Sequence, residues 1–234
     1  PHLLVMSATP IPRTLALIAY GDLDVSVIGE LPPGRRPVET FLVSEALRER
    51  LNGFIRRQCS EGHQVYVVCP AVEESEDGVL RSAEAWAQTL QQSVFPDLRV
   101  GLLHGKMKSA EKDAALAAFS AGETDILVAT TVVEVGVDVP NATLMVIENA
   151  ERFGLSQLHQ LRGRVGRGGA QSYCVLVSGT QQEETKKRLE ALCRTTDGFQ
   201  IAEQDLALRG PGDFFGSRQH GLPTLQIADL MNDT

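Results

Sequence analysis

Residues 143–147, Thr-Leu-Met-Val-Ile, and residues 64–69, Gln-Val-Tyr-Val-Val-Cys, each contain at least four consecutive apolar side chains. Strands buried on both faces of a parallel sheet have this composition, whereas strands with one solvated face alternate apolar and polar residues. Similar runs recur along the chain with helix-like segments between them. This alternation predicts an α/β domain with a mostly parallel sheet.

Working outward from these two runs gives the complete set of predicted elements. The predicted strands are Leu3–Met6, Val38–Val43, Gln64–Cys69, Leu98–Leu103, Asp125–Ala129, Thr143–Ile147 and Ser172–Val177. The predicted helices are Thr14–Ala19, Ser44–Cys59, Ala83–Val94, Ser109 to Gly122, Gly154–Arg164, Gln181–Cys193 and Ile201–Leu208. Ser44 and Ser109 are predicted N-caps, because a serine hydroxyl can accept from the first free amides of a helix, and Gly122 is a predicted helix end.

Composition divides the chain into three parts. Residues 29–37, Gly-Glu-Leu-Pro-Pro-Gly-Arg-Arg-Pro, have the composition of a linker, and the residues before them are too few to form a core. The chain also begins without Met, so we expect it to be a piece of a longer protein. The predicted division is a remnant of a preceding lobe with its linker over 1–33, the main lobe over 34–178 and a helical tail over 179–234.

Overall composition excludes several classes of protein. A hydrophobic fraction of 43% excludes a wholly disordered chain, and no apolar stretch is long enough to span a bilayer. The net charge of −8 excludes a uniformly basic nucleic-acid-binding surface, although a local anion site stays possible. The four cysteines, Cys59, Cys69, Cys174 and Cys193, contain no C-x-x-C pair, so we expect no metal site, free thiols and a cytoplasmic location.

The strongest chemical signal is residues 160–169, Gln-Leu-Arg-Gly-Arg-Val-Gly-Arg-Gly-Gly. Glycines allow the backbone to approach a ligand closely, and Arg162, Arg164 and Arg167 present forked donors that suit phosphate oxygens. The pattern therefore predicts an anion site. A self-sufficient phosphate loop is missing, because the nearest sequence, Gly101–Met107, is one residue short of the G-x-x-x-x-G-K-[ST] motif and has Met where a hydroxyl is needed.

Several motifs occur together in the order found in superfamily 2 helicases. Met6-Ser-Ala-Thr9 resembles motif III, residues 129–140 resemble motif V and residues 160–169 resemble motif VI, with Val65–Pro70 and His104-Gly105 near the motif IV positions. Residues 196–221 resemble the translocation motif shared by RecG and the transcription-repair coupling factor Mfd, and residues 6–16 and 148–168 resemble the RecG family. The resemblance implies a RecA-like parallel-sheet lobe with helices on both faces, followed by a helical hairpin and loop.

The resemblance also implies an activity for the intact protein. The intact protein would be an ATP-dependent double-stranded DNA translocase that remodels stalled replication forks and branched recombination intermediates such as Holliday junctions. ATP and Mg²⁺ would be held mainly by a first lobe that this chain lacks, so we expect the isolated chain to be inactive. The resemblance assigns catalysis to Arg164 and Arg167, nucleotide binding to Gln160, Gly136, Asp138 and Gly163, and DNA contact or coupling to Ser7, Thr9, Thr130, Thr131, Arg209, Arg218 and Gln219.

Alternatives stay open at this point. One is an Mfd-like motor, and another is a non-catalytic protein-binding module of RecA-like fold, against which the intact Gln160, Arg164 and Arg167 argue. We expect branched DNA but no membrane as a partner, and a monomeric intact motor on DNA. Residues 1–28 are expected to cover their apolar side chains either against the chain's own main lobe or against another copy of the chain. His104 and His159 are expected to be structural.

Overall fold

The structure is a computed structural model that describes residue 26 and residues 35–70, 76–130 and 139–209. The predicted strand Leu3–Met6, the predicted helix Thr14–Ala19 and the loop after Arg209 lie outside the described residues. The predicted remnant over 1–33 lies outside them as well, apart from Ser26. Both the division into three parts and the self-association of residues 1–28 stay predictions.

Six strands form one sheet in the described ranges. The strands are β1 (Glu39–Val43), β2 (Gln64–Val68), β3 (Val100–Leu103), β4 (Ile126–Ala129), β5 (Ala142–Ile147) and β6 (Tyr173–Val177). Their order is β1-β6-β5-β2-β4-β3, and every neighbouring pair is parallel. The predicted α/β fold with a parallel sheet is confirmed. All residues of β2, β4 and β5 are buried, as their continuous apolar sequences predict, whereas the edge strand β1 is partly exposed.

Six α-helices accompany the strands over the described residues. They are α1 (Arg48–Ser60), α2 (Glu76–Thr89), α3 (Ser109–Ser120), α4 (Leu155–Arg162), α5 (Glu183–Arg194) and α6 (Gly198–Arg209). Short 3₁₀ turns at Glu45–Leu47 and Ala150–Arg152 precede α1 and α4, and a π-helical turn at Leu90–Val94 extends α2. The helix α2 begins seven residues before the predicted start, because Gly78 interrupts the apolar pattern yet costs only about 1 kcal/mol inside a helix.

The predicted helix ends are confirmed in part. Gly122 has φ 73°, the left-handed conformation typical of the residue after a helix C-cap, so this prediction is correct. The prediction for Ser109 is wrong by one residue, because Lys108 is the N-cap and its amide donates to the Glu111 carboxylate at 3.0 Å. Ser44 precedes the 3₁₀ turn rather than α1, and its side chain makes no capping hydrogen bond.

Two apolar layers hold the sheet between the helices. One layer joins α1 and α2 to β-strand side chains such as Val67 and Val146. The other joins α3 and α4 to side chains on the opposite face, such as Tyr66 and Met145. The second layer also contains Leu189 and Leu192 of α5 and Ile201 of α6, so the helical hairpin shares the core of the sheet. The predicted helices on both faces and the C-terminal hairpin are therefore confirmed.

No helix within the described ranges has the length and apolar character needed to cross a membrane.

Candidate functional site

The glycine- and arginine-rich loop lies at the edge of the sheet where the strands begin. The helix α4 follows the carboxyl end of β5 and runs back across the sheet, and the loop after it leads into β6 at Tyr173. A Cβ added to Gly166 would lie 2.8 Å from Cγ2 of Val38, just before β1. A Cβ added to Gly168 would lie 2.5 Å from the carbonyl oxygen of Pro140, just before β5. Residues 163–168, which we call the arginine loop, therefore lie at the amino edge.

Local sequence explains the shape of the arginine loop. Gly163 is the C-cap of α4, and Gly166 has φ 76°, a conformation that favours glycine. Val165 is fully buried in the layer that contains α4, so it anchors the loop. On either side of it, Arg164 is half-buried and Arg167 is exposed, and Arg167 Nε donates to the Gly163 carbonyl at 3.4 Å. The anchor thus leaves Arg167 exposed and Arg164 partly exposed at the amino edge.

Arg162 does not belong to this accessible set. Its side chain is buried, with the residue 4% exposed, and its Nη1 donates to the carbonyl oxygens of Leu192 at 2.8 Å and Thr195 at 2.9 Å. Carbonyls at the end of a helix lack internal partners, and a cation there is favoured by the helix dipole. Arg162 therefore joins α4 to the end of α5, and the prediction that it takes part in anion binding is wrong.

His159 supports this buried arginine. Arg162 Nη2 lies 2.9 Å from Nδ1 of His159, and because a guanidinium only donates, Nδ1 accepts. Burial, reinforced by the charge of Arg162, lowers the pKa of His159, so the neutral ring is favoured. The contact agrees with a structural role for His159. His104 lies at the other edge, after β3, with its Nε2 3.8 Å from Oε1 of Glu84.

The tight fit of Gly168 makes the arginine loop sensitive to a single methyl group. We expect Gly168→Ala to lower the free energy of unfolding by about 1–3 kcal/mol, because its Cβ would lie 2.5 Å from a backbone oxygen that cannot rotate away. Gly169→Ala is the matched control, since a Cβ there meets nothing within 4 Å. Urea unfolding of the two variants checks this expectation, and equal stability would show that the loop tolerates the displacement.

Arg35 is a loop partner that the sequence analysis missed. Its Nε donates to the Gly166 carbonyl at 3.0 Å and its Nη2 to the Gly163 carbonyl at 3.2 Å. The composition of residues 29–37 indicates only a linker, yet their last residues are attached to the arginine loop. The signal in the sequence was a pair of arginines, Arg35 and Arg36, within four residues of the strand β1.

Thr130 lies at the opposite edge from the arginine loop. It directly follows the carboxyl end of β4, it is buried, and its amide donates to the Leu103 carbonyl at 3.1 Å. The structure therefore separates Thr130 from Arg164 and Arg167 by the length of the strands. The predicted role of Thr130 is DNA contact or coupling, and the predicted role of the two arginines is nucleotide contact. These roles belong to different sites, and both stay predictions.

A second ionic cluster at this carboxyl edge was also missed. Arg48 Nη1 and Nη2 donate to the two carboxylate oxygens of Glu148 at 2.6 and 2.7 Å, and its guanidinium lies 5.3 Å from the ring centroid of Trp86. Glu45 accepts from the same arginine at 2.8 and 2.7 Å. The signal in the sequence was Glu148, an acidic residue directly after the apolar run Leu144–Ile147.

The remaining predicted site residues can be placed only in part. Gln160 is half-buried on α4, four residues before Arg164. Arg209 is the last residue of α6, and its side chain is not among those described. The predicted residues that lie outside the described ranges are Ser7, Thr9, Thr131, Gly136, Asp138, Arg218 and Gln219.

The donor chemistry of the amino edge suits a phosphate group. Guanidinium groups form charge-assisted, forked hydrogen bonds with phosphate oxygens, and the accessible side chains of Arg164 and Arg167 lie three residues apart on one glycine-rich turn. The described residues contain no group of three or more His, Cys, Asp or Glu side chains that could hold a metal ion.

Comparison with known proteins identifies the family. The profile of the helicase conserved C-terminal domain matches residues 45–169, and the profile of ATP-dependent DNA helicase RecG, domain 3, C-terminal, matches residues 195–234. The ATP-dependent DNA helicase RecG of Synechocystis sp. is 56% identical over 233 residues, which cover 100% of this chain and 28% of the relative. The similarity therefore extends over the whole chain but less than a third of that relative.

Solved structures agree with this result. The structure of RecG bound to a three-way DNA junction matches with a TM-score of 0.78 and 50% identity, over 97% of this chain and 29% of that one. Domain 2 of the DEAD-box helicase Mss116p, bound to an RNA duplex, shares the fold with a TM-score of 0.52 and 19% identity, over 69% of this chain and 62% of that one. The predicted RecA-like fold is confirmed, and the chain belongs to the helicase conserved C-terminal domain family and, within it, to the RecG family.

Proposed function

We propose that this chain is the second motor lobe and helical hairpin of an ATP-dependent double-stranded DNA translocase that remodels branched DNA. The observation that carries the proposal is the arginine loop, in which Arg167 is exposed and Arg164 partly exposed, while the buried Arg162 just before the loop joins two helices. This arrangement suits an anion that arrives from outside the lobe. The RecG relative with 56% identity favours a RecG-type motor over an Mfd-type one.

Arg164 and Arg167 would complete an ATP site held mainly by a first lobe. That lobe would supply the phosphate loop and hold Mg²⁺, and the two arginines would contact the γ-phosphate from across the cleft. Charge develops on the phosphate oxygens in the transition state, so an arginine that meets them there accelerates transfer rather than tightening ground-state binding. Gln160, Gly163, Gly136 and Asp138 would line the same cleft, consistent with Pro140 lying against Gly168 two residues after Asp138.

Closure of this cleft would be coupled to movement on DNA through the helical hairpin. ATP contacts both lobes only when the cleft is closed, so binding favours the closed state and hydrolysis removes that preference. The hairpin α5–α6 shares a core with the sheet, and Arg162 bonds it to α4. A rotation of the lobe would therefore carry the hairpin with it. Arg209, Arg218, Gln219, Thr130, Thr131, Ser7 and Thr9 are the residues proposed for DNA contact or coupling.

The substrate proposed for the intact motor is branched DNA, including replication forks and Holliday junctions. It rests on the RecG relative whose structure contains a three-way DNA junction. We further propose that the intact motor acts as a monomer in the cytoplasm, where its free cysteines stay reduced. A non-catalytic binding module is the competing function, and it would not require two accessible arginines on a glycine-rich turn.

A comparison of the isolated chain with a protein that carries both lobes tests the split ATP site. Phosphate release by the isolated chain should equal the buffer background, because it supplies only half of the site. The two-lobe protein should release phosphate faster with a three-way junction than with a linear duplex of the same composition, and should separate the junction strands only with ATP.

Two outcomes would contradict this function. Phosphate release by the isolated chain that disappears in Arg167→Ala would disprove the split site. ATP hydrolysis by the two-lobe protein without strand separation on the junction would disprove the remodelling activity while leaving the ATP site intact.

A further inference from the structure

Arg35 spans both ends of the turn that carries Arg164. Its two donor bonds end on the carbonyls of Gly163 and Gly166, which are 128 and 131 residues away along the chain. The Gly163 carbonyl lies just past the last turn of α4, where helical carbonyls lack internal donors. A guanidinium fork can serve two such acceptors in one fixed geometry, whereas an ammonium acts as a single point. The half-buried Arg35 therefore holds the spacing between the two ends of the turn.

The Gly163 carbonyl is also the acceptor of Arg167. Arg167 Nε donates to it at 3.4 Å, a longer and weaker contact than the 3.2 Å bond from Arg35. An arginine finger, meaning an arginine that reaches a phosphate bound by another lobe, must give up this contact. Arg35 keeps the carbonyl paired when Arg167 leaves, so the loop retains its shape during the exchange.

The segment around Arg35 is attached to the amino edge at further points. Gln171 Nε2 donates to the Pro37 carbonyl at 3.0 Å, and the Glu39 amide donates to the Ser172 carbonyl at 3.0 Å. Val38 packs against the layer that contains Val165. Residues 35–39 thus run beside the whole stretch from Gly163 to Ser172, and a displacement of this segment acts directly on the arginine loop.

We propose that Arg35 is a positioning residue, through which the segment that enters the lobe sets the position of Arg164 and Arg167 for ATP hydrolysis. The proposal rests on the function proposed above and adds to it a mechanical link. Residues 29–37 precede β1 and would connect the two motor lobes. A change in lobe orientation would then reach the arginine loop through Arg35 without passing through the sheet.

The test is a set of variants in the two-lobe protein with junction DNA present. Arg35→Ala should lower kcat for ATP about 10- to 100-fold, since small misplacements of catalytic groups have effects of this size, while KM changes less than about 2-fold. The kcat of Arg35→Lys should fall between the kcat of Arg35→Ala and that of the parent protein. Arg36→Ala is the matched control, because Arg36 is the exposed neighbour, and it should keep the parent kcat.

A double variant separates positioning from general damage to the fold. Arg35→Ala combined with Arg167→Ala should lose less kcat than the product of the two single losses, because the part of the Arg35 effect that acts through Arg167 has nothing further to remove. Multiplied losses, or a kcat of Arg35→Ala within 2-fold of Arg36→Ala, would overturn the inference. If Arg35→Ala does not fold, the same measurements on Arg35→Lys decide.

The proposed function and this inference fail in distinguishable ways. A full kcat in Arg167→Ala would overturn the proposed function. A low kcat in Arg167→Ala together with a full kcat in Arg35→Ala would overturn only the positioning role.

Discussion

Replacing Arg167 with alanine in the two-lobe protein is expected to lower DNA-stimulated ATP turnover by about 10³- to 10⁵-fold. This corresponds to about 4–7 kcal/mol of lost transition-state stabilisation. Arg167 is exposed at the end of a turn anchored by Val165, so its removal leaves the core intact. DNA affinity and KM for ATP should stay close to those of the parent, because a finger acts mainly on charge that develops during transfer.

Steady-state phosphate release and junction binding by fluorescence anisotropy check this expectation together. The control is Arg194→Ala, which removes an arginine with a side chain 78% exposed and an ion pair to Glu190 on the same helix. Exposed pairs of this kind contribute little, so the control should keep both activities. If DNA affinity falls together with ATP turnover in Arg167→Ala, Arg167 is a DNA contact rather than a finger.

Replacing Arg162 with alanine is expected to have the largest effect on stability, a loss of about 3–5 kcal/mol in the free energy of unfolding. Hydrogen bonds to a charged group each contribute about 1.5–3 kcal/mol, and the variant loses the bonds to Leu192 and Thr195. Both acceptors would remain near the end of α5 without their donor. The attachment of the hairpin α5–α6 to α4 should therefore weaken first.

Urea unfolding followed by circular dichroism measures the loss, and hydrogen exchange shows where it occurs. Amide exchange should accelerate in α5 and α6 before it accelerates in β2, β4 and β5. Arg194→Ala again serves as the control, and its unfolding free energy should stay within about 0.5 kcal/mol of the parent. A stable Arg162→Ala variant would mean that the buried guanidinium contributes no more than its apolar replacement, as happens for some buried charges.

The contrast between Arg162 and its neighbours shows where sequence reasoning reaches its limit. All three arginines of the motif carry the same donors and stand next to glycines, so the pattern alone assigns them one role. Arg162 is buried because its side chain bonds the carbonyls of Leu192 and Thr195 at the end of α5. These partners lie about 30 residues later in the chain. Pairing at such separations depends on how α5 packs against the sheet, and no local periodicity reports it.

Short-range features show the same limit on a smaller scale. Gly122 was identified correctly as a helix end, because a left-handed backbone and a glycine go together at one position. Ser109 was misplaced by one residue, because the Glu111 carboxylate caps the amide of Lys108 instead. Ser109 and Glu111 are both able to accept from amides in this turn, and the sequence does not state which of them bonds.

The sequence by itself determined the strands, the parallel sheet and the presence of a phosphate-suited motif. Burial on both faces requires uninterrupted apolar runs such as Leu144–Ile147, and this requirement is local. Only the tertiary structure decided that Arg162 is internal, that Thr130 and the arginine loop lie at opposite edges, and that Arg35 bonds to Gly163 and Gly166. These are contacts between residues far apart in the chain, and they follow from strand order and helix packing rather than from composition.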